Sequence, residues 1–176
     1  MIYLINYGNK PYAKMQKFQS YTARRFGKVD RVIEYSDLDI LADTEFYSNN
    51  KKILSVKKGN GYWLWKPYII YKTLQRLKDD DVLIYSDVDT IFLDSVSPLI
   101  EIMNKHKKDM LVFDSPNKEY QYTKYNLCKD LGLTDESIIT SRQRYASYNL
   151  WRKTDASLSF VKQWLDLCCQ YHLISD

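Results

Sequence analysis

The stretch Val82-Leu-Ile-Tyr-Ser86 is a continuous strand-length run that leads without a spacer into Asp87-Val88-Asp89. Three acids, Asp79, Asp80 and Asp81, bound it on the other side. A run of this kind predicts a strand covered on both faces, and such strands belong to sheets flanked by helices. Residues 2–6, 31–35, 110–113 and 145–151 read as the neighbouring strands, and residues 91–93 as a further extended piece. Between them the spacing of apolar residues turns helical. One helix covers residues 11–26 and is stopped by Gly27, with Tyr12, Met15, Phe18 or Gln19, Thr22 and Phe26 near one face. Another opens with Pro67 at its first position and carries Ile69, Ile70, Thr73, Leu74 and Leu77. Further helices are expected after Pro98, over residues 122–131, and through Leu158, Val161, Leu165 and Cys168. Residues 37–54 read as a short helix and an irregular polar stretch around Ser48, Asn49 and Asn50. Strands alternating with helices predict an α/β domain with a largely parallel sheet, and 176 residues fit a single domain over 1–176.

Charge and composition narrow the function classes. Lys and Arg number 26 against 22 Asp and Glu, a net of +4. The two signs interleave along most of the chain, which argues against a dedicated nucleic-acid binder. Lys51, Lys52, Lys57 and Lys58, and then Lys105, Lys107 and Lys108, read as solvated loops or helix ends. The three cysteines, Cys128, Cys168 and Cys169, have no metal-ligand spacing, and an odd number cannot pair fully within the chain. No apolar run approaches the roughly 20 residues of a membrane span, and the start lacks a basic leader followed by a long apolar core. The expectation is a cytoplasmic protein without a transmembrane segment.

Asp-x-Asp occurs three times, at Asp37 and Asp39, Asp79 and Asp81, and Asp87 and Asp89. Only the last pair leaves the C-terminal end of a buried strand, where open α/β sheets bind their ligands. Two carboxylates placed together repel, and a divalent cation relieves both. Hard oxygen donors suit Mg2+ or Mn2+, an ion that can in turn hold a diphosphate; an acidic turn without metal is the competing reading. There is no Gly-x-Gly-x-x-Gly and no Walker loop, so phosphate charge must be met by side chains or metal. Lys66, at the start of the helix preceding the aspartate strand, offers a cation beside a helix N-terminus. Tyr62, Trp63 and Trp65 read as core or loop packing.

Taken together, Asp87-Val-Asp89 after its strand and Gly59-Asn-Gly-Tyr-Trp-Leu-Trp-Lys-Pro-Tyr-Ile-Ile70 upstream resemble the nucleotide-sugar-dependent glycosyltransferases of the GT-A fold. The resemblance is to the bacterial and viral polysaccharide or glycan transferases with a Gly-Tyr-Trp-x-Trp-Lys-Pro segment. It extends to Asn6-Tyr7-Gly8, Tyr122-Thr-Lys124, Leu150-Trp-Arg-Lys-Thr154 and Phe160-Val-Lys-Gln-Trp164. It implies a GT-A single domain with a mostly parallel mixed sheet flanked by helices. Asp87 and Asp89 then bind Mn2+ or Mg2+ that bridges the diphosphate of a nucleoside-diphosphate sugar, a UDP-sugar by preference, and Lys66 contacts that donor. Asn6 and Tyr7 become candidate base or ribose contacts, and the acceptor is a glycan or saccharide hydroxyl. Relatives continue past the last helix into a segment with a metal-binding His. Here the only histidines are His106 and His172, both read as surface groups. Two alternatives stand beside this reading: a haloacid-dehalogenase-like phosphatase using Asp87 and Asp89 within Asp87-Val-Asp-Thr90, and a non-catalytic glycan- or nucleotide-binding remnant of a transferase.

Overall fold

A computed structural model describes residues 1–133 and 135–175. Five strands form one sheet: β1 (Ile2–Tyr7), β2 (Arg31–Tyr35), β3 (Val82–Ser86), β4 (Met110–Lys118) and β5 (Arg142–Arg152), in the order β2-β1-β3-β5-β4. β1 runs parallel to both β2 and β3, whereas β5 is antiparallel to β3 and to β4. Four strands therefore share one direction and β5 opposes it. The parallel pairs need crossovers, which α1 (Ala13–Arg25) and the helical stretch before β3 supply.

Alternation along the strands builds two cores, as a doubly covered sheet requires. Leu4, Val82, Ile84 and Leu150 pack with Ala23, Val29, Phe92, Val96 and Met103 on one face. Ile5, Leu83, Tyr85 and Trp151 pack on the other, against Ile69, Ile70, Leu74, Val161 and Leu165. After β2 come three short helices, α2 (Asp37–Ala42), α3 (Thr44–Asn49) and a single turn over Lys51–Leu54, and later the longer α4 (Trp65–Leu74), α5 (Ser97–Lys105) and α6 (Asp155–Cys168). Asp43 caps α3 through the Phe46 N–H at 3.1 Å, and it also accepts from the Tyr68 hydroxyl at 2.7 Å and Lys72 Nζ at 3.1 Å. Among the described residues no helix is long and apolar enough to cross a membrane.

Several expectations are corrected. α1 buries Gln16, Gln19, Ser20, Thr22 and Ala23, while Tyr12, Met15, Phe18 and Phe26 lie exposed. The buried face is polar because it meets strand ends rather than strand middles. Gln16 Nε2 donates to the Tyr35 carbonyl at 2.8 Å and to Asn6 Oδ1 at 3.0 Å, and Asn6 Nδ2 donates to Gln19 Oε1 at 2.8 Å. Gln19 Nε2 then reaches Ser86 Oγ at 3.0 Å and the Thr90 carbonyl at 3.1 Å. This chain of amides ties the ends of β2, β1 and β3 to one another. Residues 91–93 form no strand, and residues 119–131 break into two short helices at Thr123 and Lys124. Pro67 is the third residue of α4, which places Lys66 inside its first turn. β4 and β5 extend beyond the expected ranges through irregular register. Residues 37–54 hold three short helices, and Ser48 and Asn49 lie inside α3.

Two measurements check these supports. Gln19→Ala leaves the buried Asn6 amide only its longer bond to Ser20 Oγ and takes a donor from Ser86 Oγ and the Thr90 carbonyl, and unfolding in urea should show a loss of about 2 kcal/mol. Asp43 is held down to about 2, first by the Tyr68 hydroxyl, then by the Phe46 N–H and Lys72. A carboxylate with a depressed folded pKa stabilises fully above its unfolded value and loses this as pH falls through the folded one. Wild type should therefore lose about 1 kcal/mol between pH 4 and pH 2 that Asp43→Asn, which keeps the cap, does not lose.

Candidate functional site

The C-terminal ends of β1 and β3 open onto a cavity of about 450 Å³, lined by Tyr7, Asn9, Tyr12, Lys57, Gly59, Asn60, Trp63, Trp65, Asp87, Val88 and Asp89. The chain makes this wall by backbone means. Gly59, Asn60, Gly61, Tyr62 and Trp63 are consecutive residues with positive φ, at 58°, 51°, 93°, 51° and 59°. They form a left-handed turn closed by the Tyr62 N–H to the Lys58 carbonyl at 2.8 Å and the Trp63 N–H to the Gly59 carbonyl at 3.1 Å. Each non-glycine residue held so costs on the order of 1–2 kcal/mol. At Gly61 a Cβ would also lie 2.9 Å from the Leu54 Cα. The turn presents Trp63, 48% exposed, to the cavity and gives the Gly59 carbonyl to Trp65 Nε1 at 3.0 Å. Trp65 stacks on Tyr7 with ring centroids 4.0 Å apart.

Tyr7 is locked from behind. Its hydroxyl donates to Asp37, while Asn60 Nδ2 donates both to that hydroxyl and to Asp37 Oδ1. Burial, and then the Asp37 carboxylate, push the Tyr7 phenol well above the usual tyrosine range, so it stays a donor. A smaller hollow of about 260 Å³ lies behind the partition of Tyr7, Asn60 and Trp65.

Asp87 is the most constrained acid in the cavity. Lys66, 6% exposed, sits with Nζ 3.0 Å from Asp87 Oδ1 and 3.3 Å from Oδ2, and it donates to the Ala146 carbonyl at 3.1 Å. The Tyr85 hydroxyl donates to the same carboxylate from within the sheet. Burial draws the Lys66 ammonium below the usual lysine range and Asp87 opposes it. Burial, then the Asp87 charge, push the Tyr85 phenol far up. The Asp87 N–H is bonded to the Ser147 carbonyl at 2.8 Å, which fixes β3 to β5 at the cavity rim. Asp89, in contrast, is exposed.

Of the residues named from sequence, Tyr7, Asp87 and Asp89 meet in this cavity, and Lys66 reaches it through Asp87. Asn6 is not brought there: it is fully buried and its amide is taken up by Gln16, Gln19 and Ser20. Its neighbour Asn9 takes the wall position instead, with a buried Oδ1 that meets no donor among the described residues. Asn9, Tyr12, Lys57 and Asn60 were missed; the Gly-Asn-Gly punctuation was the signal for Asn60. Among the described residues no three His, Cys, Asp or Glu side chains gather as a metal site. His172 lies 3.0 Å from Asp130 on the surface and His106 is exposed, both as expected.

No protein-family model and no curated protein matches the chain. Solved structures are similar to it, among them the following two. Mouse xyloside xylosyltransferase 1 in its apo form is 13% identical, over 99% of this chain and 77% of its own, with a TM-score of 0.53. The galactosyltransferase LgtC, in complex with donor and acceptor sugar analogues, is 13% identical over 99% of this chain and 66% of its own, with a TM-score of 0.47. The first likeness establishes the fold, a mixed α/β sheet of the GT-A kind flanked by helices.

The two aspartates should separate on substitution. Asp87→Asn leaves the buried Lys66 ammonium without its counter-charge and should cost about 3 kcal/mol in urea unfolding. Asp89→Ala, at an exposed position, should stay within about 0.5 kcal/mol of wild type.

Proposed function

We propose that the chain is a nucleotide-sugar-dependent glycosyltransferase acting as one domain, with a nucleoside diphosphate, uridine diphosphate by preference, as the leaving group. The observation that carries this is convergence. Carboxylates, a cation (Lys57), an unsatisfied acceptor (Asn9) and aromatic rings share one cavity at the strand ends of a GT-A sheet. That is the edge at which open α/β sheets take ligands.

The donor set fits the divalent ion that such a fold implies. Mg2+ takes one or two carboxylates and fills its remaining positions with substrate phosphates and water. Asp89 would be the principal protein donor and Asp87 the second, since Asp87 already shares its charge with Lys66. Bound there, Mg2+ or Mn2+ supplies a counter-charge to a departing diphosphate. The chain's own groups do the rest. Lys66 and Tyr85 hold the Asp87 carboxylate in one orientation, so no reorganisation is needed as charge develops. Trp63 offers an exposed ring for stacking a base or a sugar face, and the Tyr7–Trp65 pair walls off water. Asn9 Oδ1 can accept from a ribose hydroxyl or a base N–H. The acceptor is a glycan or saccharide hydroxyl.

The phosphatase alternative asks Asp87 to attack phosphorus, yet Lys66 and Tyr85 already occupy that carboxylate, and its strand is third in the chain with an antiparallel neighbour. The remnant reading is decided by turnover.

Calorimetry with UDP should show binding that strengthens at least about tenfold with Mn2+. Asp89→Ala should lose the Mn2+ effect, and Trp63→Ala should weaken binding by about fivefold or more. If millimolar UDP and GDP do not bind with Mn2+, or Asp89→Ala binds as wild type does, the proposal is wrong. Binding without release of sugar from any UDP-sugar would favour the remnant.

A further inference from the structure

A hollow of about 600 Å³ lies away from the aspartates, beside α1, where Lys17, Tyr21, Arg24, Arg25, Val32 and Glu34 line it. Charge is concentrated here. Residues 10–31 contain seven basic side chains (Lys10, Lys14, Lys17, Arg24, Arg25, Lys28 and Arg31) and one acid, Asp30, a net of +6. The whole chain nets +4, so the other 154 residues together net −2. α1 itself holds no acid, and its four cations are all exposed.

The cause lies in the inward face. Because α1 spends Gln16 and Gln19 on the strand ends, its large apolar side chains Met15, Phe18 and Tyr21 face outward. Lys14, Phe18, Tyr21 and Arg25 follow one another at four-, three- and four-residue spacing and so share one side of the helix. Phe18 and Tyr21 are each 56% exposed. Lys17 and Arg24 flank this line beside Glu34, which is paired with Lys17 and also feels the Arg24 charge. The face is thus an outer helix surface of aromatic rings set among cations that outnumber the one acid, Glu34, lining the same hollow. Nucleic acid would be met by a denser basic stripe or a groove. Rings flanked by Lys and Arg on an outer surface suit a layer of anionic phosphates lying over hydrocarbon, into which the rings dip while the cations stay at the headgroups.

We infer that the outer face of α1 docks the protein on an anionic phospholipid bilayer, with Lys14, Arg24 and Arg25 meeting headgroup phosphates and Phe18 and Tyr21 entering the interface. This is independent of the donor site, and none of these five residues lines the aspartate cavity.

Co-sedimentation of the full chain with vesicles tests it. Vesicles of phosphatidylcholine with 30% phosphatidylglycerol should bind at least about tenfold more tightly than pure phosphatidylcholine, and 0.5 M NaCl should release the protein. Each cation near such a surface contributes about fivefold. Lys14→Glu with Arg25→Glu should therefore lower binding by about tenfold or more, and Phe18→Ser by about threefold. Both changes are at exposed positions, so UDP binding and urea stability should match wild type. Equal affinity for neutral and anionic vesicles, no affinity for either, or an unchanged double variant would overturn the inference. So would equally tight binding of soluble glycerophosphoglycerol, since no surface would then be needed.

Discussion

A lysine taken out of water must find an anion, and the Lys66–Asp87 pair is where this chain meets that demand. The ammonium lies in the first turn of α4, under the end of β3, and it also holds the Ala146 carbonyl of β5. Removing an ammonium from solvent is tolerated only when the partner geometry is good and the remaining donors are used. Three elements are therefore brought to fixed positions by one charge, and the rim of the cavity is where they meet. The same arrangement divides labour within Asp-x-Asp. Asp87 is committed to architecture through Lys66 and Tyr85, whereas Asp89 is exposed at the surface with little to support.

The amides behind the rim act alongside that charge. Gln16, Asn6 and Gln19 pass hydrogen bonds from β2 through β1 to the turn after β3. In a low-dielectric setting a fully satisfied network is rigid, and a partly satisfied one is costly. The network accounts for the polar inner face of α1, and by exclusion for the aromatic residues on its outer face.

Much of the sheet was legible in the sequence. All five strands overlap the expected ranges, β1, β2 and β3 most closely, and β3 above all because a strand buried along its whole length leaves little choice of residue. The position of Asp87 and Asp89 at a strand end was legible for the same reason. The face of α1 was not, since periodicity counts Phe18 and Met15 as inward and has no way of seeing that the helix meets strand termini rich in unpaired polar groups. Asn6 was misplaced by the same blindness: at the end of a central strand an amide serves a cavity or a neighbour equally well on spacing alone. Tyr85 was hidden inside an apolar run, where its ring fits and its hydroxyl goes unnoticed. The longer β4 and β5 follow from pairing across an irregular register, which is a property of two strands and not of either one.

The left-handed turn from Gly59 to Trp63 bears on how this cavity can change. At five successive positions the backbone, and not any bound molecule, decides which side chains are admissible, and β-branched or bulky replacements are penalised before chemistry is consulted. Saturation mutagenesis would therefore record a dense block of intolerance here that mimics a catalytic signature. Diversification of specificity would be channelled to the flanking positions Tyr12, Lys57 and Val88, which border the same space and carry ordinary torsions.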